Sequence, residues 1–206
     1  MSTLSRATGT TRKRNPRDYY PTIDPRAVAP LVAHLGRGVR YAEPCAGAGD
    51  MVDLLAPHGW DCAWAADLLP MRRTVHSTGQ LIAQQDVVTL PQMMAATREL
   101  GDVDIFATNP AWDRRLLHMK IDVLARLRPT WLLFDAAWKE TKQAARFGKY
   151  CHTIISVGRL VWIEGSDAQS IDDCSWYGFD ASREWKTEYV WPTANRDPVE
   201  QMVLAL

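Results

Sequence analysis

The sequence predicts an α/β chain: a mostly parallel, doubly wound sheet with helices on both faces and an antiparallel, β-rich C-terminal part. Three observations carry that prediction. Short apolar runs alternate with stretches of helical periodicity up to about residue 135. Four polar residues, Glu43, Asp67, Asp86 and Asn109, fall just where such apolar runs end. Past residue 150 the pattern changes to β-rich runs with Trp and Tyr. Right-handed crossovers place the strand carboxyl ends along one edge of such a sheet, where ligands gather.

Each element has its own signal. Residues 24–36 read as a helix, with Val28, Leu31, Val32 and Leu35 in one stripe and Gly36 ending it. Residues 39–43 form a short strand that runs into a glycine turn, and a helix begins over 51–55. A second strand spans 62–66 and ends at Asp67. A third spans 81–84, with Asp86 just after it. Residues 91–100 read as helical and 103–107 as a fourth strand. Residues 116–127 carry apolar side chains at helical spacing, and 131–134 form a fifth strand. The expected organisation is a basic arm over 1–17 and one domain over 18–206, with a small late insertion around 139–185.

Composition bounds the function. Lys and Arg number 24, as do Asp and Glu, so the overall charge points to neither nucleic acid nor membrane. The arm differs: Arg6, Arg12, Lys13, Arg14 and Arg17 occur there with no acid, which suits phosphates or simply a solvated tail. No stretch approaches the ~18 apolar residues of a membrane span. The first residues lack the apolar core of a signal peptide. Cys45, Cys62, Cys151 and Cys174 show no paired short spacing, so no metal site is expected and a reducing cytoplasm suits them. Cys151 and His152 with Cys174 would be the alternative ligand set; buried small-hydrophobe behaviour is the plainer reading.

Two motifs about sixty residues apart carry chemistry. The first is Glu43-Pro44-Cys45-Ala46-Gly47-Ala48-Gly49-Asp50. Gly47 and Gly49 lack Cβ atoms, so the loop can take positive φ and approach a ligand closely. The third glycine of a dinucleotide fingerprint is missing, since residue 52 is Val. Asp67 follows Gly49 by 18 residues, near the ~20 expected of a carboxylate that accepts ribose hydroxyls; helix capping is the alternative. The second motif is Asn109-Pro110-Ala111-Trp112, at the end of the Ile105-Phe106-Ala107 run.

These residues carry a family resemblance, over roughly residues 18–180. Glu43 to Asp50 resembles the S-adenosylmethionine loop of Rossmann-like methyltransferases. Asn109 to Trp112 resembles the Asn/Asp-Pro-Pro-aromatic tetrapeptide of the amino-methyltransferases. Asp18-Tyr19-Tyr20-Pro21-Thr22 looks like the cofactor element that precedes the glycine loop in DNA N6-adenine methyltransferases. The runs 155–166 and 173–177 are similar to the tail of small phage-type members, which would act in the cytoplasm of a bacterial host. Ala111 departs from the pattern, standing where most members have a second proline.

The resemblance implies S-adenosylmethionine as cofactor and double-stranded DNA as partner, with neither metal nor membrane. It implies a cofactor site of Tyr19, Tyr20, Pro21, Thr22, Glu43, Pro44, Cys45, Ala46, Gly47, Gly49, Asp67, Leu68, Asp86 and Asn109. Within that set, Asp86 would accept from the adenine amine and the tyrosines would close over the adenosine. Asn109, Pro110, Ala111 and Trp112 would be catalytic: the Asn oxygen and Pro110 carbonyl would accept an exocyclic amine's hydrogens, while Trp112 stacks on the base. From their charge and spacing, Arg12, Lys13 and Arg14 of the arm, with Lys139 and Lys142 of a near-helical series continuing to Arg146 and Lys149, suit a phosphate backbone; a solvated helix face explains the later series equally well. About seventy residues follow the fifth strand, too few for a large recognition domain, so selectivity would be short or loose. Methylation of RNA bases or protein glutamine stays open, as does an inactive nucleic-acid-binding relative.

Overall fold

In the computed structural model the described residues are 20–96, 102–163, 165 and 169–191. Tyr19 and the basic arm with Arg12, Lys13 and Arg14 lie outside them. Eight strands form one sheet: β1 Arg40–Glu43, β2 Asp61–Asp67, β3 Ile82–Gln84, β4 Ile105–Thr108, β5 Thr130–Asp135, β6 Cys151–Gly158, β7 Cys174–Phe179 and β8 Glu188–Val190. Their order across the sheet is β3-β2-β1-β4-β5-β7-β6-β8. The α-helices are α1 Ala29–Leu35, α2 Asp50–Leu55, α3 Leu90–Ala96, α4 Arg114–Leu127 and the single turn α5 Ala145–Gly148.

The mostly parallel, doubly wound sheet matches expectation, with two refinements. Among the described strands only β7 is reversed: it pairs antiparallel with both β5 and β6, while β8 returns parallel to β6. The C-terminal part is therefore less antiparallel than its composition implied. Residues 24–36 also divide, into a 3-10 turn Pro25–Ala27 and α1. Pro25 and Pro30, which have no N–H to donate, each sit in the first turn of their own segment. Gly36 ends α1 at φ 83°, as its position in the sequence suggested.

Side chains alternate between two buried layers along every central strand. Ala42, Phe106, Leu132, Phe134 and Tyr177 face one side and pack against Leu90 of α3 and Leu117, Ile121 and Leu124 of α4. Tyr41, Ile105, Ala107, Trp131, Leu133 and Trp176 face the other and pack against Leu31, Met51 and Leu55 of α1 and α2. Period two along the strands and 3.6 along the helices thus cover both faces. Each large side chain buried this way contributes roughly 1.5–3 kcal/mol.

Two tryptophans bond within these layers, one in each. Trp176 Nε1 donates to Ala27 O at 2.6 Å, joining β7 to the N-terminal segment. Trp138 Nε1 donates to His118 Nε2 at 3.1 Å, inside a group of Phe134, Phe147 and Tyr177. Cys151 and Cys174 sit at opposite ends of the β6–β7 ladder, opposite Phe179 and Gly158 respectively, which separates the alternative ligand set.

His118 must be neutral at Nε2 to accept from Trp138. Burial holds its imidazolium form below the usual histidine range, helped by Arg146 and Arg114. Burial lowers His152 as well. The unfolded chain therefore takes up protons first, and stability falls as pH drops through about 6.5 toward these lowered values. Glu43, whose carboxyl burial pushes well above the ordinary range, opposes this decline, so the histidine contribution is read as the difference in denaturant midpoint between wild type and variant from pH 8 to 5. His118→Gln, which does not titrate, is expected to flatten part of the decline, with His152 leaving the remainder.

Candidate active site

The chain runs outward from β1 to β2 and β3, then returns to lay β4 beside β1. Helices on opposite faces diverge at that reversal and leave a crevice at the strand carboxyl ends. A cavity of about 380 Å³ occupies it, within the size range of small-ligand sites. Its walls come from the ends of β1 (Glu43), β2 (Asp67) and β4 (Asn109), from Asp86 after β3, and from α4.

The glycine loop is held by β2. Gly47 N donates to Asp67 Oδ2 at 2.9 Å, Gly47 O accepts from Met71 N at 2.9 Å, and Ala46 N donates to Ala66 O at 2.8 Å. Asp67 Oδ1 accepts from Leu69 N at 2.8 Å. Both Asp67 oxygens are thus engaged by backbone, yet each carboxylate oxygen keeps a further lone pair toward the cavity. Asp86 likewise caps the 3-10 turn Val87–Thr89 through Val88 N and lines the cavity at the same time.

The tetrapeptide is fixed from both sides. Asn109 Nδ2 donates to Thr22 Oγ1 at 3.1 Å, and more weakly to Tyr20 O at 3.4 Å. Asn109 Oδ1 accepts from Trp112 Nε1 at 3.1 Å. These bonds orient the amide, nitrogen to Thr22 and oxygen to Trp112. Trp112 packs edge-on against Trp162, with ring centroids 5.8 Å apart, and Trp162 packs against Tyr20 at 6.4 Å. Asp113 then caps α4 through Arg115 N and Leu116 N, both at 3.1 Å, so the helix starts at the end of the motif.

The Tyr20–Thr22 segment is stapled in turn by Asp24. That buried carboxylate accepts from Arg26 and from Val161 N, 137 positions away. Burial raises its pKa, but these hydrogen bonds outweigh burial and hold it below the usual carboxylate range.

Glu43 is the most unusual group. It is 2 % exposed and lines the cavity, and its Oε2 has no hydrogen-bond partner among the described residues. Burial, reinforced by Asp67, Asp50 and Asp53, pushes its carboxyl well above the ordinary range. A desolvated acid surrounded by other acids leaves the cavity strongly receptive to a cation.

Of the residues expected at the site, Tyr20, Pro21, Thr22, Glu43, Pro44, Cys45, Ala46, Gly47, Asp67, Leu68, Asp86 and Asn109 to Trp112 meet at this cavity. Gly49 does not line it. Gly49 takes φ +85° at the N-cap of α2, and a Cβ there would meet Val75 Cγ2 at 2.9 Å; its value is packing and turn geometry, not approach to a ligand.

Lys139 and Lys142 also lie away from the cavity. They sit in a 3-10 turn Ala136–Glu140 and the turn after it; extended Thr141 breaks the series, so no single basic helix face forms. Farther along, Arg146 pairs with Asp122. Sequence reasoning missed Lys120 and Met119, which reach the cavity from α4 beside Leu116. Their signal was a second helical stripe at 116, 119 and 120.

No protein-family profile matches the chain, and no curated protein matches it in sequence. Solved structures do resemble it. The methyltransferase subunit of a type I restriction-modification system from Streptococcus thermophilus aligns with TM-score 0.50 and 11% identity, over 91% of this chain and 52% of that one. A protein assigned as a class I S-adenosylmethionine-dependent methyltransferase from Listeria monocytogenes aligns with TM-score 0.48 and 12% identity, over 87% and 65%. A predicted O-methyltransferase from Agrobacterium tumefaciens aligns with TM-score 0.38 and 14% identity, over 86% and 93%. At these identities the first likeness establishes the fold, and the chain spans about half the length of that subunit.

Gly49→Ala is expected to destabilise the chain by about 1–3 kcal/mol, through left-handed strain and the Val75 contact. Urea unfolding of the two proteins under one condition measures it; Gly59→Ala, at the same left-handed conformation with nothing within 4 Å of an added Cβ, isolates the strain component.

Proposed function

We propose that the chain is an S-adenosylmethionine-dependent methyltransferase acting on the exocyclic N6 amine of adenine in DNA. The observation that carries this reading is Asn109, held by Thr22 and Trp112 at the rim of a cavity whose floor is the glycine loop. The fold shared with a restriction-modification methyltransferase subunit supports it.

The residues present fit that cofactor. The unpartnered Glu43 and the nearby Asp50, Asp67 and Asp86 suit a ligand with two cationic centres and ribose hydroxyls. Glu43 and the loop over Cys45 to Gly47 would hold the amino-acid end, Asp67 with Leu68 the ribose, and Asp86 and Tyr20 the adenine. When bound, the cofactor supplies a methyl group on a sulfonium, ready for displacement.

The target amine is a poor nucleophile because its lone pair is delocalised into the purine. Asn109 Oδ1 and the Pro110 carbonyl accept its two hydrogens and localise that lone pair. Asn109 Oδ1 already receives Trp112 Nε1–H, and a carbonyl oxygen has two lone pairs, so one stays available. Orientation is thus prepaid by Thr22 and Trp112 rather than found during the reaction. The product ammonium is strongly acidic, so no basic side chain is required before methyl transfer. A base from duplex DNA reaches this site only when flipped out. Trp112, Trp162 and Tyr20 offer it aromatic surface, and base–aromatic stacking is worth about 1–3 kcal/mol. Ala111 adopts the loop conformation without the φ restriction of proline, which lowers preorganisation.

Incubation with methyl-labelled S-adenosylmethionine and unmethylated duplex DNA, followed by mass spectrometry of the nucleosides, tests the reaction. Labelled N6-methyladenine is expected, with a loss of at least about a hundredfold in Asn109→Ala, the order of removing one preorganised polar partner. Label found only in RNA or protein, or nowhere, would sink the DNA reading. Cofactor binding has a separate signature. Glu43 carries its proton to unusually high pH when the cavity is free of ligand. A cation beside it favours the carboxylate, so binding is expected to release a proton and tighten as pH rises, by up to about tenfold per unit. Titration calorimetry in buffers of different ionisation enthalpy reads that release, which Glu43→Gln is expected to abolish.

A further inference from the structure

Four acidic side chains line the cavity, Glu43, Asp50, Asp67 and Asp86; Asp50 pairs with Arg72 at 3.9 Å, and among the described residues of the wall the basic side chain is Lys120. Lys120 lies on α4 one turn after Leu116, on the stripe that also presents Met119, while Leu117, Ile121 and Leu124 of the same helix turn into the core. Its ammonium acts electrostatically on the Cys45 thiol in the glycine loop, favouring the thiolate. That thiol is itself pushed up by burial and stays protonated, so it offers a dipole and no counter-charge. Among the described residues, no ion pair joins Lys120 to a carboxylate. An ammonium at the cavity wall, with no carboxylate paired to it among the described residues, has capacity for one anion.

The cofactor reading supplies an anion of that kind. S-adenosylmethionine carries two cationic groups, the sulfonium and the α-ammonium, and one anionic group, the α-carboxylate. The wall acids attract the first two and repel the third. We propose that Lys120 is the anchor for the α-carboxylate, directing the amino-acid end of the cofactor to the Cys45 side of the cavity. This assignment rests on the proposed function, and it concerns binding rather than the chemical step. It also gives α4 a second task. The helix that starts at the target-side tetrapeptide would touch the cofactor nearly two turns later, so both ligands would meet through one rigid element.

The test compares two probes that differ only in this group, S-adenosylmethionine and its decarboxylated form, by titration calorimetry on the full chain. Wild type is expected to prefer the carboxylated compound. Lys120→Met, which keeps the stem and removes the charge, is expected to weaken S-adenosylmethionine binding by roughly tenfold to a hundredfold. Binding of the decarboxylated compound is expected to change by less than about threefold, within the scatter of neutral changes. Lys120→Gln should behave like Lys120→Met, and unchanged thermal midpoints would show that both variants fold.

Equal weakening of both compounds in the variants overturns the assignment, as does a preference that survives them. Loss of DNA binding with cofactor affinity intact also overturns it and would place Lys120 on a phosphate. If wild type binds neither compound, the cofactor reading itself fails, an outcome distinct from a wild type that binds both without discrimination.

Discussion

The site depends on one topological constraint, the return of the chain from β3 at the sheet edge to β4 beside β1. Two parallel strands that are neighbours in the sheet but distant in sequence send their following segments to opposite faces. The glycine loop after β1 leads to α2 on one face, and the tetrapeptide after β4 leads to α4 on the other. Between them no backbone fills the edge. The cavity, the acids around it and the aromatic rim are consequences of that divergence, because each is carried by a segment that leaves a strand end there.

Structural and functional roles coincide in the acids that hold this edge. Asp67 closes the glycine loop through Gly47 N, and Asp86 and Asp113 cap helical turns. Capping satisfies amides that would otherwise be orphaned, and a carboxylate has lone pairs left over after doing so. Capping therefore does not preclude the ligand contacts proposed for Asp67 and Asp86. Glu43 is different: it closes no loop among the described residues, and its buried, unpartnered oxygen lowers stability unless something cationic meets it. That is the pattern of a group retained for a ligand rather than for the fold.

Aromatic side chains divide between the same two tasks. Trp131 and Trp176 are core side chains on one sheet face, and Trp138 belongs to the opposite layer. Trp112 and Trp162 instead meet edge-on beside Asn109, and Trp112 contributes the indole hydrogen that orients the amide. Trp185 stacks under Arg183 and beside His152, away from the cavity. Sequence position does not separate these roles, since Trp162 and Trp176 stand on a loop and a strand of one β-rich stretch.

The sequence by itself determined the local elements and the polar residues at their ends. Short apolar runs marked β1, β2, β4 and β5, helical stripes marked α1 and α4, and Glu43, Asp67, Asp86 and Asn109 were visible as terminators because local pattern is a property of neighbours. Only the tertiary structure decided that β7 inserts between β5 and β6, that Thr22 reaches Asn109 across 87 positions, and that Asp24 reaches Val161 across 137. It also decided that Lys120 turns toward the cavity while Lys139 and Lys142 do not. The reason is the same in each case. Which strands pair, and which face of a helix meets a crevice, depend on complementarity between segments far apart in the chain, and local pattern leaves that choice open.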